Sequence, residues 1–337
     1  MIAKLVPLVV PALLAAACAP VGESASVRGE RGPGGALFVA NKFGNSLSKV
    51  DLASGEETLR VESCANPHEL ATSPDDRHVA LACYGGTSVD IFRTSDLERI
   101  GSIDLGENAR PHGIVWHANG DLFATAEGQR RVYRIARPLD PDAEVFAFAT
   151  GKEGTHMLVV SPDARQAWTT DLGSRTVTAV DLVTRRAPRS VEVGEEPEGI
   201  ALSPDGKTLW VSARGSDKAF ALDPQTLEIR SEIATGDFPL RIAVRPQGDY
   251  AVTADLQDGA LTVIDTASAR AVRSIPVSGR EEAETRFQVT ILWSPDGDRI
   301  YVAETGTDTI AEVDFASGRV LRRLAVGDGG DGLAIIE

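Results

Sequence analysis

The sequence predicts an all-β fold: a seven-bladed β-propeller of four-stranded antiparallel blades, closed by a C-terminal strand that joins the N-terminal blade. Three observations support this prediction. A sequence unit of roughly 42 residues recurs along the chain, each unit divides into four short strand-like segments, and the 3.6-residue periodicity of helices is absent. The clearest copy of the unit begins at residues 197–206, with the sequence Pro-Glu-Gly-Ile-Ala-Leu-Ser-Pro-Asp-Gly.

The repeat can be followed from residue 67 to the end of the chain. The spacings between successive copies are 44, 44, 42, 42, 49 and 42 residues, and the surplus of the longest unit lies in the polar stretch 279–287. Equal spacing of this kind is typical of fold units that stack on one another. The copies begin at Pro67, Pro111, Thr155, Pro197, Pro239, Gln288 and Gly330.

Within one unit, strands are predicted at 200–203, 209–213, 219–223 and 229–233. The first two are separated by Ser203-Pro204-Asp205-Gly206, and the last two by Pro224-Gln225-Thr226. Both segments have the composition of tight turns, so consecutive strands should be antiparallel neighbours.

The count of units gives seven blades. Six units are complete, residues 36–62 supply strands two to four of another, and residues 330–337 supply only a first strand. Joining the two ends completes the seventh blade and removes the free sheet edges that would favour association. Residues 36–337 are therefore predicted to be one domain.

The first residues read as a targeting signal. Lys4 precedes a 13-residue apolar run at 5–17, which is too short to span a bilayer. The run ends in Leu-Ala-Ala-Ala before Cys18, which resembles a bacterial lipobox except that Ala15 stands where Leu is usual. We expect a signal peptide at 1–17, lipidation of Cys18, a flexible tether at 18–35 and an extracytoplasmic protein held in the membrane only by this lipid. Ordinary secretory cleavage after Ala17 is the alternative.

Composition limits the class of partner. The formal net charge is -15, hydrophobic residues make up 42% and charged residues 25% of the chain, and no run of Lys and Arg is present. Nucleic-acid binding needs a basic face, so no nucleic-acid partner is expected.

Several segments resemble the YVTN-type bacterial propeller repeats: Leu-Trp-Val-Ser at 209–212, Ile-Tyr-Val-Ala at 300–303 and Val-Ile-Asp at 263–265. The resemblance extends over nearly all of the chain from Ala36 onward and implies the propeller fold. It does not choose a function, since that broad family includes binding proteins, lactonase-like members and relatives of haem d1 propellers.

One column of the repeat stands out chemically. The first strand of each blade begins, and the second ends, at the same face of the disc, so these positions should form rings around the central channel. Three of the five histidines in the chain occupy the second position of consecutive units. The column reads His68, His112, His156, Glu198, Leu240, Val289 and Asp331.

The predicted ring of second-strand ends adds Asp171, Asp255 and Glu304, with Lys42, Tyr84, Glu127 and Arg214 each one residue beyond a strand end. Arg241 should lie at the same face. The candidate ligand-binding residues are His68, His112, His156, Glu198, Arg241, Asp171, Asp255 and Glu304.

This residue set suits two kinds of chemistry. His68, His112 and His156 could hold a transition metal ion, while the identity of any cofactor stays open. His with Glu can instead serve as general base and acid, while Arg holds an anionic group. A purely structural alternative is that these side chains cap backbone groups of neighbouring blades.

The remaining cysteines are predicted to form a disulfide. Cys64 lies just before Pro67, and Cys83 ends the second strand of the same unit, so both should lie near one end of the blade. An oxidising compartment would favour the bond. Cys83 as a metal ligand or nucleophile is the alternative.

Three functions remain open at this stage. The first is a binding or scaffold protein of the cell envelope, which takes a small molecule or an envelope protein at its His-bearing channel mouth. The second is a metal-assisted enzyme of lactonase or lyase type that uses the same face. The third is a propeller that holds a haem d1-type cofactor through one His.

Overall fold

Seven antiparallel sheets of four strands each make up the computed structural model, which describes residues 34–337. The first strands of the seven sheets contact one another in a closed cycle, so they line a common central axis. The predicted fold class is confirmed.

The strands are numbered here in chain order. Blade 1 contains β1 (Ala36–Asn41), β2 (Ser46–Asp51) and β3 (Glu57–Glu62). Blade 2 contains β4 (Pro67–Thr72), β5 (His78–Cys83), β6 (Ser88–Arg93) and β7 (Arg99–Asp104). Blade 3 contains β8 (Pro111–Trp116), β9 (Leu122–Ala126), β10 (Arg131–Ala136) and β11 (Glu144–Ala149). Blade 4 contains β12 (Thr155–Val160), β13 (Gln166–Asp171), β14 (Thr176–Asp181) and β15 (Arg189–Glu192).

The last three blades and the closing strand follow the same order. Blade 5 contains β16 (Pro197–Leu202), β17 (Leu209–Ala213), β18 (Lys218–Leu222) and β19 (Ile229–Ala234). Blade 6 contains β20 (Pro239–Val244), β21 (Tyr250–Asp255), β22 (Ala260–Asp265) and β23 (Arg270–Pro276). Blade 7 contains β24 (Gln288–Trp293), β25 (Arg299–Glu304), β26 (Thr309–Asp314) and β27 (Arg319–Ala325), and β28 (Gly330–Ile336) returns to blade 1.

The ring is closed by β28, which pairs antiparallel with β1 and becomes the innermost strand of blade 1. The pairing joins Ala36 to Ile336 at one end and Asn41 to Gly330 at the other. Since the first and last strands share one sheet, opening the ring at this blade would break the hydrogen bonds between β28 and β1.

Helical structure within residues 34–337 is confined to short turns. The long unit between blades 6 and 7 contains α1 (Ala283–Arg286), and 3-10 turns occur at Glu127–Gln129, Arg214–Ser216 and Thr305–Thr307. No helix in this part of the chain is long and apolar enough to cross a membrane. The predicted signal peptide, the lipidation of Cys18 and most of the tether lie outside the described residues.

The core lies between blades. Trp168 of blade 4 packs in one buried cluster with Val211 and Phe220 of blade 5, and its indole N–H donates to the carbonyl of Pro224 at 2.9 Å. Such faces bury large side chains completely, among them Trp210 and Tyr301. Packing of neighbouring sheets, which is worth about 25 cal/mol per Å² of apolar area removed from water, holds the ring together.

All seven first strands share a β-bulge. In β4, for example, Pro67 pairs with Cys83 and Leu70 with Leu81, so two residues lie between pairs that would normally be separated by one. The same register shift occurs in β8, β12, β16, β20, β24 and β28. A bulge redirects side chains. Here it affects the second and third positions of each repeat, which include the histidine column.

The two cysteines form a disulfide, Cys64–Cys83, with a Cα–Cα distance of 5.6 Å. It joins the loop that leads into β4 to the end of β5. Tyr84 follows one of the two cysteines directly, and His68 lies four residues beyond the other.

Removing this bond should destabilise the protein. For Cys64→Ser/Cys83→Ser we expect a loss of about 3 kcal/mol in the free energy of unfolding, the size expected from chain entropy for a closed loop of this length. Chemical denaturation of the oxidised protein and the double variant measures it. Equal denaturation midpoints would contradict a stabilising role, and Ser63→Ala in the same loop is the control.

Candidate active site

The three column histidines lie side by side at one end of the channel. The ring centroids of His112 and His156 are 3.7 Å apart, and those of His68 and His112 are 4.8 Å apart. His112 is 3% and His156 7% exposed, whereas His68 is partly exposed. The prediction that consecutive repeats bring these side chains together therefore agrees with the geometry.

His156 is held between two carboxylates. Its Nδ1 lies 2.8 Å from Glu127 Oε1, and its Nε2 lies 3.5 Å from Glu198 Oε1. Burial by itself would lower the pKa of His156, but the hydrogen bond to Glu127 and the nearby Glu198 carboxylate outweigh burial and raise it. His156 is consequently the imidazole of this site that most readily carries a proton.

His112 has the opposite environment. Its Nδ1 is buried with no hydrogen-bond partner among the described residues. Burial, followed by the neighbouring His156 and His68 and by Arg241, lowers the pKa of His112 well below its usual value. This side chain is therefore a neutral imidazole at neutral pH, and its unprotonated ring nitrogen can accept a proton.

Tyr84 covers the histidines on the solvent side. Its ring centroid lies 4.4 Å from that of His68 and 5.4 Å from that of His112. Its hydroxyl donates to Glu127 Oε2 at 2.7 Å, and Arg110 contacts the same hydroxyl. Burial and the Glu127 carboxylate raise the pKa of Tyr84 to about 12, so its hydroxyl stays protonated. The two oxygens of Glu127 thus join Tyr84 to His156.

A buried ion-pair network lies beside the histidines. Arg241, which is 5% exposed, donates to Glu198 Oε1 at 2.5 Å and to Glu69 Oε1 at 2.8 Å. Arg214 contacts the other oxygen of Glu198. Burial opposes ionisation of Glu198, but His156 and Arg241 outweigh it and lower the pKa of Glu198 to about 2. Glu198 is therefore ionised at any pH of interest.

The opposite part of the mouth is apolar. Leu240 and Val289, which occupy the same column in blades 6 and 7, pack with Leu256 in one buried cluster. Between the apolar and polar parts, Asp331 of β28 pairs with Lys42 at 3.1 Å. Among the seven equivalent positions, the titratable side chains of blades 2 to 5 therefore form a polar half of the mouth. Leu240 and Val289 form its apolar half.

Hydroxyl groups fix the polar half in place. Thr125 at the end of β9 donates to the carbonyl of His156 at 2.5 Å, and Thr170 at the end of β13 donates to the carbonyl of Glu198 at 2.7 Å. Each bond links the second strand of one blade to the first strand of the next. The relative positions of His156 and Glu198 are thereby set by blade-to-blade contacts as well as by their own sheets.

Three predicted site residues do not join the cluster. Asp171 accepts hydrogen bonds from four Thr hydroxyls of its own blade, and Asp255 from two of its own. Glu304 is paired with Arg323 at 2.8 Å and Arg286 at 3.3 Å. Burial raises the pKa of Asp171 to about 6 and that of Asp255 to about 7. All three carboxylates are engaged within the scaffold, and their assignment to ligand binding stays a prediction.

The metal prediction for His68, His112 and His156 is not supported by this geometry. Nitrogens that share one ion at about 2.1 Å each lie roughly 3–4 Å apart. In residues 34–337, the one set of three His, Cys, Asp or Glu donors within 4.8 Å of one another is Cys64, Cys83 and Asp90. The two sulfurs of that set are in the disulfide, so it offers no thiolate ligand. The three imidazole rings lie side by side with their planes tilted, by 32° between His112 and His156 and by 57° between His68 and His112, and their nitrogens do not form such a set.

Two important residues were missed or given no role by the sequence analysis. Glu69 stands in the third position of its repeat, where Gly113, Gly199 and Gly332 occupy three other blades. A side chain at those glycines would meet backbone atoms of the next first strand at 1.9–2.8 Å. Arg241 stands in the same third position of its own repeat. Two opposite charges at a position where three other blades have glycine are a signal that could have identified Glu69 and Arg241 as an ion pair. Glu127 was placed at the right face, but its bond to His156 depends on the 3-10 turn after β9.

An open groove of about 730 Å³ lies at the opposite end of the disc, between the turns of blades 4 and 5. Its lining includes Arg165, Arg186 and Arg189, together with three aspartates, Asp163, Asp181 and Asp205. The charges balance, and the groove has none of the five histidines. The acid–base groups are therefore at the other mouth.

The fold and the site together define a seven-bladed propeller with an acid–base cluster at one mouth of its channel. The chain belongs to the family described as "Lactonase, 7-bladed beta-propeller", whose model matches residues 38–271. The narrower YVTN-type resemblance stays a prediction. Among curated proteins, none matches the sequence significantly.

Solved structures share the fold at low sequence identity. The periplasmic gluconolactonase PpgL of Pseudomonas aeruginosa is 19% identical, with a TM-score of 0.70 over 90% of this chain and 99% of that one. Hydrazine synthase of Kuenenia stuttgartiensis is 18% identical, with a TM-score of 0.71 over 84% and 93%. Virginiamycin B lyase of Staphylococcus aureus is 17% identical, with a TM-score of 0.66 over 82% and 93%. At these identities the likeness shows the fold alone.

Proposed function

We propose that this protein is a lactone hydrolase that uses acid–base catalysis at the His-bearing mouth. The observation that carries the proposal is the pair of adjacent buried imidazoles, His112 and His156, whose environments shift their pKa values in opposite directions. Two titratable neighbours with separated pKa values are the arrangement by which one site supplies a base and an acid together. Membership in the lactonase family supports this choice of reaction.

The chemical step follows from the two protonation states. His112 accepts a proton from water as the water oxygen attacks the lactone carbonyl carbon. The ring C–O bond then breaks, and His156 donates its proton to the departing oxygen, which gives the open hydroxy acid. After the product leaves, His112 releases its proton to water and His156 takes one up from water, which restores the starting state.

The surrounding carboxylates set these roles. Glu127 accepts from His156 Nδ1, which fixes the ring orientation and keeps the proton on this residue. Glu198 strengthens the effect from the other side of the ring. Arg241 in turn keeps Glu198 ionised and in place. A substrate would approach from the side of the partly exposed His68 and Tyr84.

This proposal reverses the order of the functions expected from sequence. The binding or scaffold interpretation rested on the absence of a recognisable catalytic set, whereas the family match and the paired imidazoles favour the enzymatic alternative. This acid–base chemistry does not change the cellular location that was expected from the sequence. We keep the extracytoplasmic, lipid-anchored placement as part of the proposal, supported by the apolar run and Cys18.

The direct test is hydrolysis of a set of lactones by the purified chain. Glucono-1,5-lactone and two smaller aliphatic lactones, followed by proton release and corrected for spontaneous opening, would show turnover if the proposal is right. Absence of turnover on every lactone, with products of elimination from a cyclic ester instead, would favour the lyase. A haem d1-type cofactor stays a prediction, and an absorbance spectrum of the purified protein tests it.

The pH profile of kcat/KM should be bell-shaped. Activity needs His112 neutral and His156 protonated, so it should fall below the lowered pKa of His112 and again above the raised pKa of His156. The plateau should therefore include the ordinary His pKa of about 6.5. Rates from pH 4 to 9 measure the profile, and a rate that only rises with pH would contradict these roles.

Glu127→Gln should move one limb of that profile. The change removes the carboxylate that raises the pKa of His156, so the alkaline limb should shift to lower pH while the acid limb stays in place. Glu153→Gln is the matched control, because Glu153 forms an exposed ion pair with Arg130 and, unlike Glu127, no ion pair with His156. An unchanged alkaline limb in Glu127→Gln would remove His156 from the role of acid.

A further inference from the structure

The cations at the mouth are all engaged by carboxylates. Arg241 is paired with Glu69 and Glu198, and Lys42 with Asp331. Further out, Arg214 pairs with Glu196 and Glu198, and Arg110 lies 3.7 Å from Glu127. Sites that bind phosphate or carboxylate groups normally offer Arg or Lys donors that the ligand itself completes. Here each of these cations already has at least one carboxylate of the protein within 4 Å.

The charge count at the mouth leaves no positive excess. Lys42, Arg110, Arg214 and Arg241, with protonated His156, face the carboxylates of Glu69, Glu127, Glu196, Glu198 and Asp331. An anionic group that entered would either displace one of these carboxylates or add a like charge to a buried network. Like charges brought together at such a site cost several kcal/mol.

The rest of the mouth favours an uncharged molecule as well. Leu240 and Val289 form the apolar half, and both are about as buried as His112. On the polar half, His112 Nδ1 and Arg241 Nε are buried without hydrogen-bond partners in the described part of the chain. A neutral molecule with an apolar edge and hydroxyl or carbonyl groups is complementary to both halves.

We infer that the mouth selects a neutral lactone and rejects lactones that carry a phosphate or carboxylate group. This inference rests on the proposed lactone hydrolysis and names its substrate class. The ion pairs act as the selective element, because an anionic group would have to compete with a carboxylate of the protein for each of these cations.

The first experiment compares kcat/KM for glucono-1,5-lactone and its 6-phosphate, with spontaneous opening subtracted. The neutral lactone should be preferred by roughly tenfold or more, as expected for a like-charge penalty. Equal rates, or a preference for the phosphate, overturn the inference and leave lactone hydrolysis standing.

Binding separates this inference from the proposed reaction. Calorimetry with 1,5-anhydroglucitol and its 6-phosphate, neither of which can be hydrolysed, should show binding of the neutral compound only. If no lactone is hydrolysed but this preference holds, the reaction is wrong and the selectivity stands. Binding of neither compound, or tighter binding of the phosphate, overturns the selectivity.

Charge variants test the cause. Glu69→Gln removes one carboxylate partner of Arg241, and Asp331→Asn removes the carboxylate partner of Lys42. Each change should raise the association constant of the 6-phosphate relative to that of 1,5-anhydroglucitol by roughly tenfold. Glu232→Gln is the matched control, since it removes the same charge from an exposed pair with Lys218. Asp331→Asn keeps the test decisive if Glu69→Gln fails to fold. A ratio that is unchanged in the folded variants contradicts the role of the ion pairs.

Discussion

Replacing His112 with glutamine should lower kcat for lactone hydrolysis by roughly 10²- to 10⁴-fold, the usual contribution of a general base. Glutamine keeps a polar side chain of similar reach but cannot accept a proton at neutral pH. KM should change little, because the neighbouring His68, Tyr84 and the apolar half of the mouth remain. The measurement is steady-state hydrolysis of the best lactone from the panel, after a circular dichroism spectrum has shown that the variant folds.

The matched control is His117→Gln. His117 lies in the turn after β8, where its ring nitrogens bond to the backbone of Ser161 and Asn119. It is therefore at the opposite end of the disc, and the same substitution there should leave kcat within about twofold, since no acid–base role is removed. A His112→Gln variant as active as this control would refute the assignment of the base. His156→Gln should resemble His112→Gln, because each turnover needs both the base and the acid.

The second large effect concerns stability. Arg241→Met should lower the free energy of unfolding by about 3–5 kcal/mol, the cost of removing one partner from a buried ion pair. Methionine nearly preserves the volume of the side chain, so loss of packing adds little. Glu198 would keep Arg214 and His156, but Glu69 would lose its partner while staying 7% exposed. The uncompensated Glu69 carboxylate is the physical cause of the loss.

Chemical denaturation of wild type and variant measures this effect. Arg175→Met is the control, because Arg175 pairs with Glu195 at an exposed position, where an ion pair contributes about 0–1 kcal/mol. Adding Glu69→Gln to Arg241→Met should recover part of the stability, since it removes the stranded charge. A double variant less stable than the single one would contradict this explanation.

Much of the fold could be predicted from local sequence. The Ser-Pro-Asp turns and the fourfold division of each repeat fix antiparallel neighbours, because a chain that reverses over two to four residues has no other partner within reach. The incomplete units at the two ends predicted the pairing of β28 with β1. The disulfide partners followed from the position of Cys64 just before Pro67 and of Cys83 at the end of the second strand of the same unit.

The site was predictable only in part. The repeat placed His68, His112 and His156 in one column, and Glu198 and Arg241 at the same face. It also placed Asp171, Asp255 and Glu304 at that face, where each carboxylate is bonded within its own blade. Whether a carboxylate at a strand end faces the channel or its own sheet depends on which hydroxyl or guanidinium groups lie across the strand pair. For Asp171 these are threonines of β12, β13 and β14.

The sequence by itself determined the number of blades, the closure of the ring and the concentration of histidines in consecutive blades. These properties follow from repeat spacing and strand order, which are local or periodic. Only the tertiary structure showed that the three imidazoles lie side by side, and that their surroundings raise the pKa of His156 and lower that of His112. Those outcomes depend on the bulge in each first strand and on Glu127 and Glu198 from other blades, and contacts between blades leave no periodic trace in the chain.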